Sequence, residues 1–247
     1  MENKINKLYE LIKNANNIVF FGGAGVSTAS GILDFRSEKG LYNLHSKYGV
    51  PYETILSHTF FEENTETFFK FYKEFMINKE AKPNICHKVL AKLEKNKNIT
   101  IITQNIDNLH QEAGSKNVIE LHGSIQRNFC NNCMKFYSLD DMLKINTIIP
   151  FCPKCGGIIK PDVVLYEEGL DRNTLTRAII TLEKADLLIV AGTSLMVYPA
   201  ASLINYFFGD NIALINKEKL HINKKTILEI NDDLKIVFEE LNKLLFS

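Results

Sequence analysis

The chain has 247 residues, 45% of them hydrophobic and 23% charged, and its 29 basic and 29 acidic side chains cancel to a formal net charge of zero. That length is enough to bury a substantial core, and the charge balance argues against a polyanion binder held by bulk electrostatics. No apolar run approaches the roughly 20 residues needed to span a bilayer, and no apolar core followed by a cleavage site marks the amino terminus as a signal peptide.

From the amino terminus, Met1–Asn17 is rich in Lys, Glu and Asn, with Ile5, Leu8, Leu11 and Ile12 at helical spacing. Ile18-Val19-Phe20-Phe21 then reads as a buried strand running into the glycine-rich turn Gly22–Gly31. Such a turn is expected to open a helix, with glycines that let the backbone approach a pyrophosphate and free N–H groups that face it. By itself it is as easily a mere tight turn, and the position of its third glycine departs from the dehydrogenase pattern. Residues 37–80 carry Phe60, Phe61, Phe68, Phe69, Phe71, Tyr72 and Phe75 at helical periodicity, a helical insertion whose aromatic stripe reads as core packing.

Ile99-Thr100-Ile101-Ile102 is the next strand, followed by Thr103-Gln104-Asn105-Ile106-Asp107. Asn105 and Asp107 sit two apart, so an extended path points both into one pocket. An amide and a carboxylate can grip a carboxamide and a ribose hydroxyl by complementary hydrogen bonds; taken alone, the same residues make a strand-end Asx turn. His122 follows the short strand Ile119-Glu120-Leu121. A lone histidine there is structural or a general base working near neutral pH.

Cys130-x-x-Cys133 and Cys152-x-x-Cys155, with 18 residues between the pairs, suit one tetrahedral zinc site in which thiolates fill every position. A closed site of this kind braces a fold and does no chemistry. The stretch has few flanking Arg and Lys in a stripe, against a nucleic-acid-reading ribbon. The leftover Cys86 beside two metal-type pairs suits a reducing compartment, so a cytoplasmic location is expected. Leu187–Val190 precedes Ala191-Gly192-Thr193, and Ile212–Ile215 precedes Asn216. Near-continuous apolar strands imply burial on both faces, hence an α/β, doubly wound parallel sheet with ligands at the carboxyl ends of its strands. The expected organisation is one catalytic domain: a Rossmann-like large lobe from 1–36, 83–123 and 161–247, and a small lobe from the helical insertion 37–82 and the cysteine module 124–160, with a cleft between them.

Gly23-Ala24-Gly25-Val26-Ser27 followed by Gly31-Ile32-Leu33-Asp34-Phe35-Arg36 resembles the first signature of the sirtuins, NAD-dependent protein deacylases. Thr103–His110 resembles the second, and Leu121-His122-Gly123 with the cysteine pairs the third; Gly192-Thr193-Ser194-Leu195 and Asn216 resemble the later nucleotide contacts. The likeness covers almost the whole chain in the family's order. It implies NAD as co-substrate and a structural Zn2+. Asp107 and the Ile106 backbone would hold the nicotinamide amide, with Asn105 and Gln104 facing the ribose and a water, and His122 as general base on that ribose. Gly23, Ala24, Gly25, Thr28, Asp34, Gly192, Thr193 and Ser194 would also line the cofactor. Asn216 would reach the adenosine ribose and Asp233 the adenine. Phe35 would shield the reacting centre on a closing loop and Arg36 would neutralise phosphate or order that loop; without the motif the alternatives are a loop anchor and a surface charge, and for Arg36 the surface charge is the preferred reading.

The implied reaction releases nicotinamide and moves the acyl group from lysine to ADP-ribose. The substrate peptide would add as a strand between Val163-Val164-Leu165-Tyr166 and Leu195-Met196-Val197. The alternative on the same fold is a mono-ADP-ribosyltransferase, and a non-catalytic NAD-sensing or nucleic-acid-binding module is a third reading. The chain departs from the family in three places. Leu165 and Glu167 stand where many sirtuins have an aromatic and a glycine, and Leu33 replaces a usual proline. Where succinyl- and malonyl-removing sirtuins carry Tyr-x-x-Arg, this chain has Tyr72 and Phe75, so neutral acyl groups, acetyl or longer, are the expected substrates. The expected partners are acylated-lysine proteins, without nucleic acid or membrane, and the expected state is a monomer.

Overall fold

The computed structural model describes residues 1–33 and 47–246. After the helix Glu2–Asn14, β1 (Asn17–Gly22) is joined in chain order by β2 (Asn98–Thr103), β3 (Val118–Glu120), β4 (Gly123–Cys130), β5 (Phe136–Ser138), β6 (Ile159–Val163), β7 (Leu187–Ala191), β8 (Asn211–Ile215) and β9 (Leu228–Ile230). Six of them form one parallel sheet in the order β3-β2-β1-β7-β8-β9.

The apolar runs alternate between two cores because successive side chains of a strand point to opposite faces. Ile18 and Phe20 of β1 pack with Leu8, Ile12, Val89, Leu90, Val237 and Phe238, from helices Glu2–Asn14, Ile85–Leu93 and Leu234–Phe246. Val19 and Phe21 pack on the other face against Ala178, Leu182 and Leu203, from helix Arg172–Lys184 and the 3-10 segment Ala200–Tyr206. Helices therefore cover both faces, as the uninterrupted hydrophobic strands require.

The remaining strands form an antiparallel sheet ordered β5-β4-β6. It shares a third core with the short helices Tyr52–Ile55, His58–Glu63 and Thr65–Phe71 and the π-helical turn Tyr72–Met76. Phe61, Phe68, Phe69, Phe71 and Tyr72 are each at most 1% exposed, so the aromatic stripe is core packing. The helical insertion and the cysteine-bearing sheet are thus parts of one small lobe, joined to the large sheet at His122–Gly123. Gly123 has φ +76°, and a Cβ there would lie 1.9 Å from the Asp162 carbonyl oxygen, so only glycine lets β4 cross β6 this closely.

One expectation fails locally. The glycine-rich turn opens no α-helix; residues Ala24–Val26 and Thr28–Ser30 form two single 3-10 turns ended by Gly31 in the left-handed region. The reason is a tertiary tie: the Gly25 N–H donates to Gly192 O (2.8 Å), and a Cβ on Gly25 would sit 2.8 Å from Gly192 Cα. The turn is drawn onto the end of β7 and cannot wind freely. Among the described residues, no helix is long and apolar enough to cross a membrane.

Candidate active site

The motif residues collect where the strands end. β1 lies between β2 and β7, so chain order reverses beside it, and this is the switch point where open α/β sheets bind ligands. Main-chain bonds tie the strand tips together: Gln104 N–H to Gly22 O (3.0 Å), Gly23 N–H to Ala191 O (3.2 Å) and Gly192 N–H to Ile215 O (3.1 Å). The Gln104 side-chain amide donates to Thr193 Oγ1 (3.1 Å) across β1, and Thr193 Oγ1 also accepts the Leu195 N–H (3.1 Å). Ala24, Thr28 and Ser194 lie exposed around this floor, and Gly23, Gly25, Gly192 and Thr193 form it.

Asn105 and Asp107 do meet, and a residue without a role in the sequence reading joins them. The Ser27 hydroxyl donates to Asp107 Oδ2 (2.6 Å) and accepts from Asn105 Nδ2 (3.0 Å). His87 Nε2 lies 3.5 Å from the same oxygen. The Asn84 N–H donates to His87 Nδ1 (3.2 Å), so that nitrogen is the acceptor and the proton of the neutral ring sits on Nε2, facing Ser27. Ser27 thereby uses its one donor and both acceptor sites. Burial lowers the His87 pKa to about 4, which keeps Nδ1 unprotonated for the Asn84 cap. Next to it, buried His110 is lowered well below the usual range, first by burial and then by His87; among the described residues neither of its ring nitrogens finds a hydrogen-bond partner. Burial raises the Asp107 pKa, while the bonds from Ser27 and the Leu109 N–H oppose the rise. Asn84-x-x-His87 is a capping box at the start of helix Ile85–Leu93. That spacing was the available sequence signal for this pair.

His122 lies half-buried between β3 and β4, and its Nδ1 is 2.9 Å from the Gln104 carbonyl oxygen. A carbonyl only accepts, so Nδ1 carries the proton and Nε2 is the basic nitrogen of the neutral ring. The same loop is tied to β4 by the Ile125 N–H, which donates to Ile106 O (3.1 Å). One backbone segment, Gln104–Asp107, therefore orients both the imidazole and the amide–carboxylate pair.

Cys130, Cys133, Cys152 and Cys155 bring their sulfurs within 4.8 Å of one another. Cys130 and Cys155 are 3.4 Å apart and Cys133 and Cys152 3.7 Å, against about 3.8 Å between sulfurs on a tetrahedral zinc with bonds near 2.3 Å. Four converging thiols of this geometry fit Zn2+. The Tyr137 hydroxyl, 3.0 Å from Cys152 Sγ, adds an outer hydrogen bond.

The expected peptide-binding stretch continues β6. The Val164 N–H donates to His122 O (3.0 Å), while Tyr166 pairs through its N–H with Leu56 O (2.9 Å) and through its carbonyl with the His58 N–H (2.9 Å). The Leu165 side chain is 4% exposed within the small-lobe core, and its N–H donates to Glu168 Oε2 (2.9 Å). Glu167 has φ +76°, a left-handed conformation costing an ordinary residue about 1–2 kcal/mol. In the other expected peptide-binding stretch, Met196 is 70% exposed, and Leu195 and Val197 are half-buried. Asn216 lies at the end of β8, its N–H donating to Ile230 O (3.1 Å). Asp233 spends its carboxylate on Lys217 (2.9 Å) and the Lys235 N–H (2.8 Å), at the start of the last helix. Asp34, Phe35 and Arg36 lie outside the described residues.

Comparison with known proteins agrees with this geometry. The model of the Sir2 family matches residues 23–199. An NAD-dependent protein deacetylase of Clostridium tetani is 57% identical over 92% of this chain and 92% of its own length, and one of Staphylococcus aureus (strain Mu50) is 45% identical over 98% and 99%. Among solved structures, Sir2 with a p53 peptide and NAD+ superposes with a TM-score of 0.87 at 35% identity, covering 98% of each chain. Sir2Tm bound to a propionylated peptide gives 0.86 at 35% identity, also over 98% of each. With a nucleotide-type switch point, an oriented imidazole and a four-thiol cluster in one arrangement, the chain belongs to the Sir2 family, the sirtuins.

Proposed function

We propose that this chain is an NAD-dependent protein-lysine deacetylase in which His122 is the general base. The observation that carries this reading is the bond between His122 Nδ1 and Gln104 O, which puts the ring proton on Nδ1 and so supports Nε2 as the base, on the loop that also presents Asn105 and Asp107. NAD, when bound, supplies a glycosidic carbon that loses nicotinamide and receives the acyl oxygen of the lysine. Carboxylate, carboxamides, hydroxyls and close-packed glycines at the switch point are the donor set a dinucleotide needs. Asp107, held by Ser27, accepts from the nicotinamide carboxamide with the Ile106 backbone. Asn105 and Gln104 orient the ribose and a water. His122 would take a proton from the ribose 3'-hydroxyl, so that the neighbouring 2'-oxygen can accept the acyl group. Gly23, Ala24, Gly25, Thr28, Gly192, Thr193 and Ser194 surround the phosphates and the reacting sugar, and Asp34, Phe35 and Arg36 are further cofactor contacts by resemblance alone. Asn216 takes the adenosine ribose, and Asp233 fixes the corner beside the adenine.

The four cysteines hold structural zinc and brace the lobe without entering the reaction. The protein acts on acylated lysine in proteins, gripped by the main chain of Val163–Tyr166 and Leu195–Val197. Neutral acyl groups are preferred: Tyr72 is 1% exposed, and Phe75 packs on Phe71 with ring centroids 5.1 Å apart. Lys47 lies 5.7 Å from the Phe75 ring but is ion-paired with Glu74, so its charge is already committed. The chain works as one catalytic domain with lobes 1–36, 83–123, 161–247 and 37–82, 124–160. It is a cytoplasmic monomer with no nucleic-acid partner, in keeping with unpaired thiols and zero net charge.

The test is nicotinamide release from NAD with and without an acetyl-lysine peptide. Release is expected to require the peptide, and His122→Ala to lower turnover at least about 100-fold, as loss of a general base does. Equal release with and without peptide would instead count against deacetylation and favour the alternatives.

A further inference from the structure

Glu167 occupies a left-handed backbone position with a side chain that does specific work. Its Oε2 accepts from both the N–H (2.8 Å) and the hydroxyl (2.7 Å) of Thr59, in the first turn of the helix His58–Glu63. The next residue repeats the connection: Glu168 Oε1 lies 3.0 Å from His58 Nδ1, and its Oε2 accepts from Lys160 (3.3 Å) and the Leu165 N–H (2.9 Å). Two successive carboxylates thus engage two successive residues of one small-lobe helix. The arm they hold begins at Val164, bonded to the carbonyl of His122. A glycine would serve here if only a turn were needed, and a non-glycine residue at φ +76° persists where its surroundings hold it in place. The Thr59 contacts are what hold it.

We propose that Glu167 is a positioning residue: its carboxylate latches the segment Val163–Tyr166 to the small-lobe helix through Thr59, presetting that segment to pair with the acyl-lysine peptide without affecting NAD. The inference rests on the reading of Val163–Tyr166 as the peptide-binding strand. The latch holds the strand's register before the peptide arrives, so that ordering cost is not charged to binding. The residues proposed to hold NAD are on other strand tips, and Glu167 and Thr59 are not among them.

The test compares steady-state kinetics of the full chain and Glu167→Ala, Glu167→Gly, Glu167→Gln and Thr59→Val, together with amide hydrogen exchange over residues 163–168 with and without an acetyl-lysine peptide. Glu167→Ala and Glu167→Gly are expected to raise KM for the peptide about five- to tenfold, the effect of losing both exposed, solvent-screened bonds to Thr59. KM for NAD and kcat are expected to stay within about twofold. Glu167→Gln, whose amide oxygen still accepts from Thr59, is expected to remain near wild type, and adding Thr59→Val to Glu167→Ala to cost nothing more. Exchange at 163–168 is expected to quicken in the peptide-free alanine variant and to slow in wild type when peptide binds. Unchanged peptide KM in Glu167→Ala or Glu167→Gly, or equal increases in both KM values, overturns the latch. Absence of peptide-dependent protection in wild type overturns the strand assignment and the latch with it, and the two failures are told apart by that control.

Discussion

Replacing Ser27 with alanine removes the centre of the nicotinamide-side network while leaving every proposed ligand contact in place. The hydroxyl donates to Asp107 at 2.6 Å and accepts from Asn105 at 3.0 Å, with His87 Nε2 at 3.5 Å. A hydrogen bond to a charged group contributes about 1.5–3 kcal/mol, so KM for NAD is expected to rise roughly ten- to hundredfold. A second consequence follows from the sign of the Asp107 shift. Burial raises its pKa and Ser27 opposes the rise, so the alanine variant raises it further. The carboxylate form is the one that accepts from a carboxamide; binding is lost as pH falls through the folded pKa, and the acid limb of kcat/KM for NAD therefore moves to higher pH. Initial rates across pH at saturating acetyl-peptide read both effects, and a thermal melt checks that the variant is folded. A folded Ser27→Ala with KM for NAD within twofold of wild type and an unmoved acid limb refutes the reasoning.

Acid should destabilise the protein through His87. Its pKa is near 4 when folded against an ordinary 6.5, so the unfolded chain alone takes up the proton in that window. At 1.36 kcal/mol per unit, stability is expected to fall by about 3 kcal/mol as pH drops from about 6.5 to about 4; denaturant melts in which stability does not fall through this window contradict the buried neutral pair. Chelation of zinc is expected to melt the small lobe and cut deacetylation more than about tenfold, reversibly on zinc addition, because β4 runs from Gly123 beside His122 straight to Cys130. Full activity after verified zinc removal contradicts the bracing role. Comparing kcat/KM for acetyl- and succinyl-lysine peptides should favour acetyl, and a succinyl preference would show that a cation reaches the Phe75 region.

Much of this was legible in the residues because the physics was local. Uninterrupted Val/Ile runs at Ile18–Phe21 and Leu187–Val190 are buried on both faces, and that alone implies a parallel sheet. Cys-x-x-Cys pairs carry their geometry in their spacing. What could not be read were long-range effects. The glycine turn lost its helix to Gly192, more than 160 residues away in sequence. Ser27 gained its importance from Asp107 and His87, which the chain alone does not bring together. Leu165 stands in the stretch expected to pair with the peptide, and that it does so with its side chain in the small-lobe core is set by residues far away in the chain. Glu167 reads as a loss of glycine until Thr59 is seen beside it.

The most direct measurement is a crystal structure of the protein with NAD and an acetyl-lysine peptide. His122 Nε2 is expected within about 2.6–3.2 Å of a ribose hydroxyl, hydrogen-bond reach for a general base, with the nicotinamide carboxamide on Asp107 and the peptide paired to Val163–Tyr166. An imidazole facing away from a fully ordered NAD ribose, with another side chain at that hydroxyl, contradicts the account.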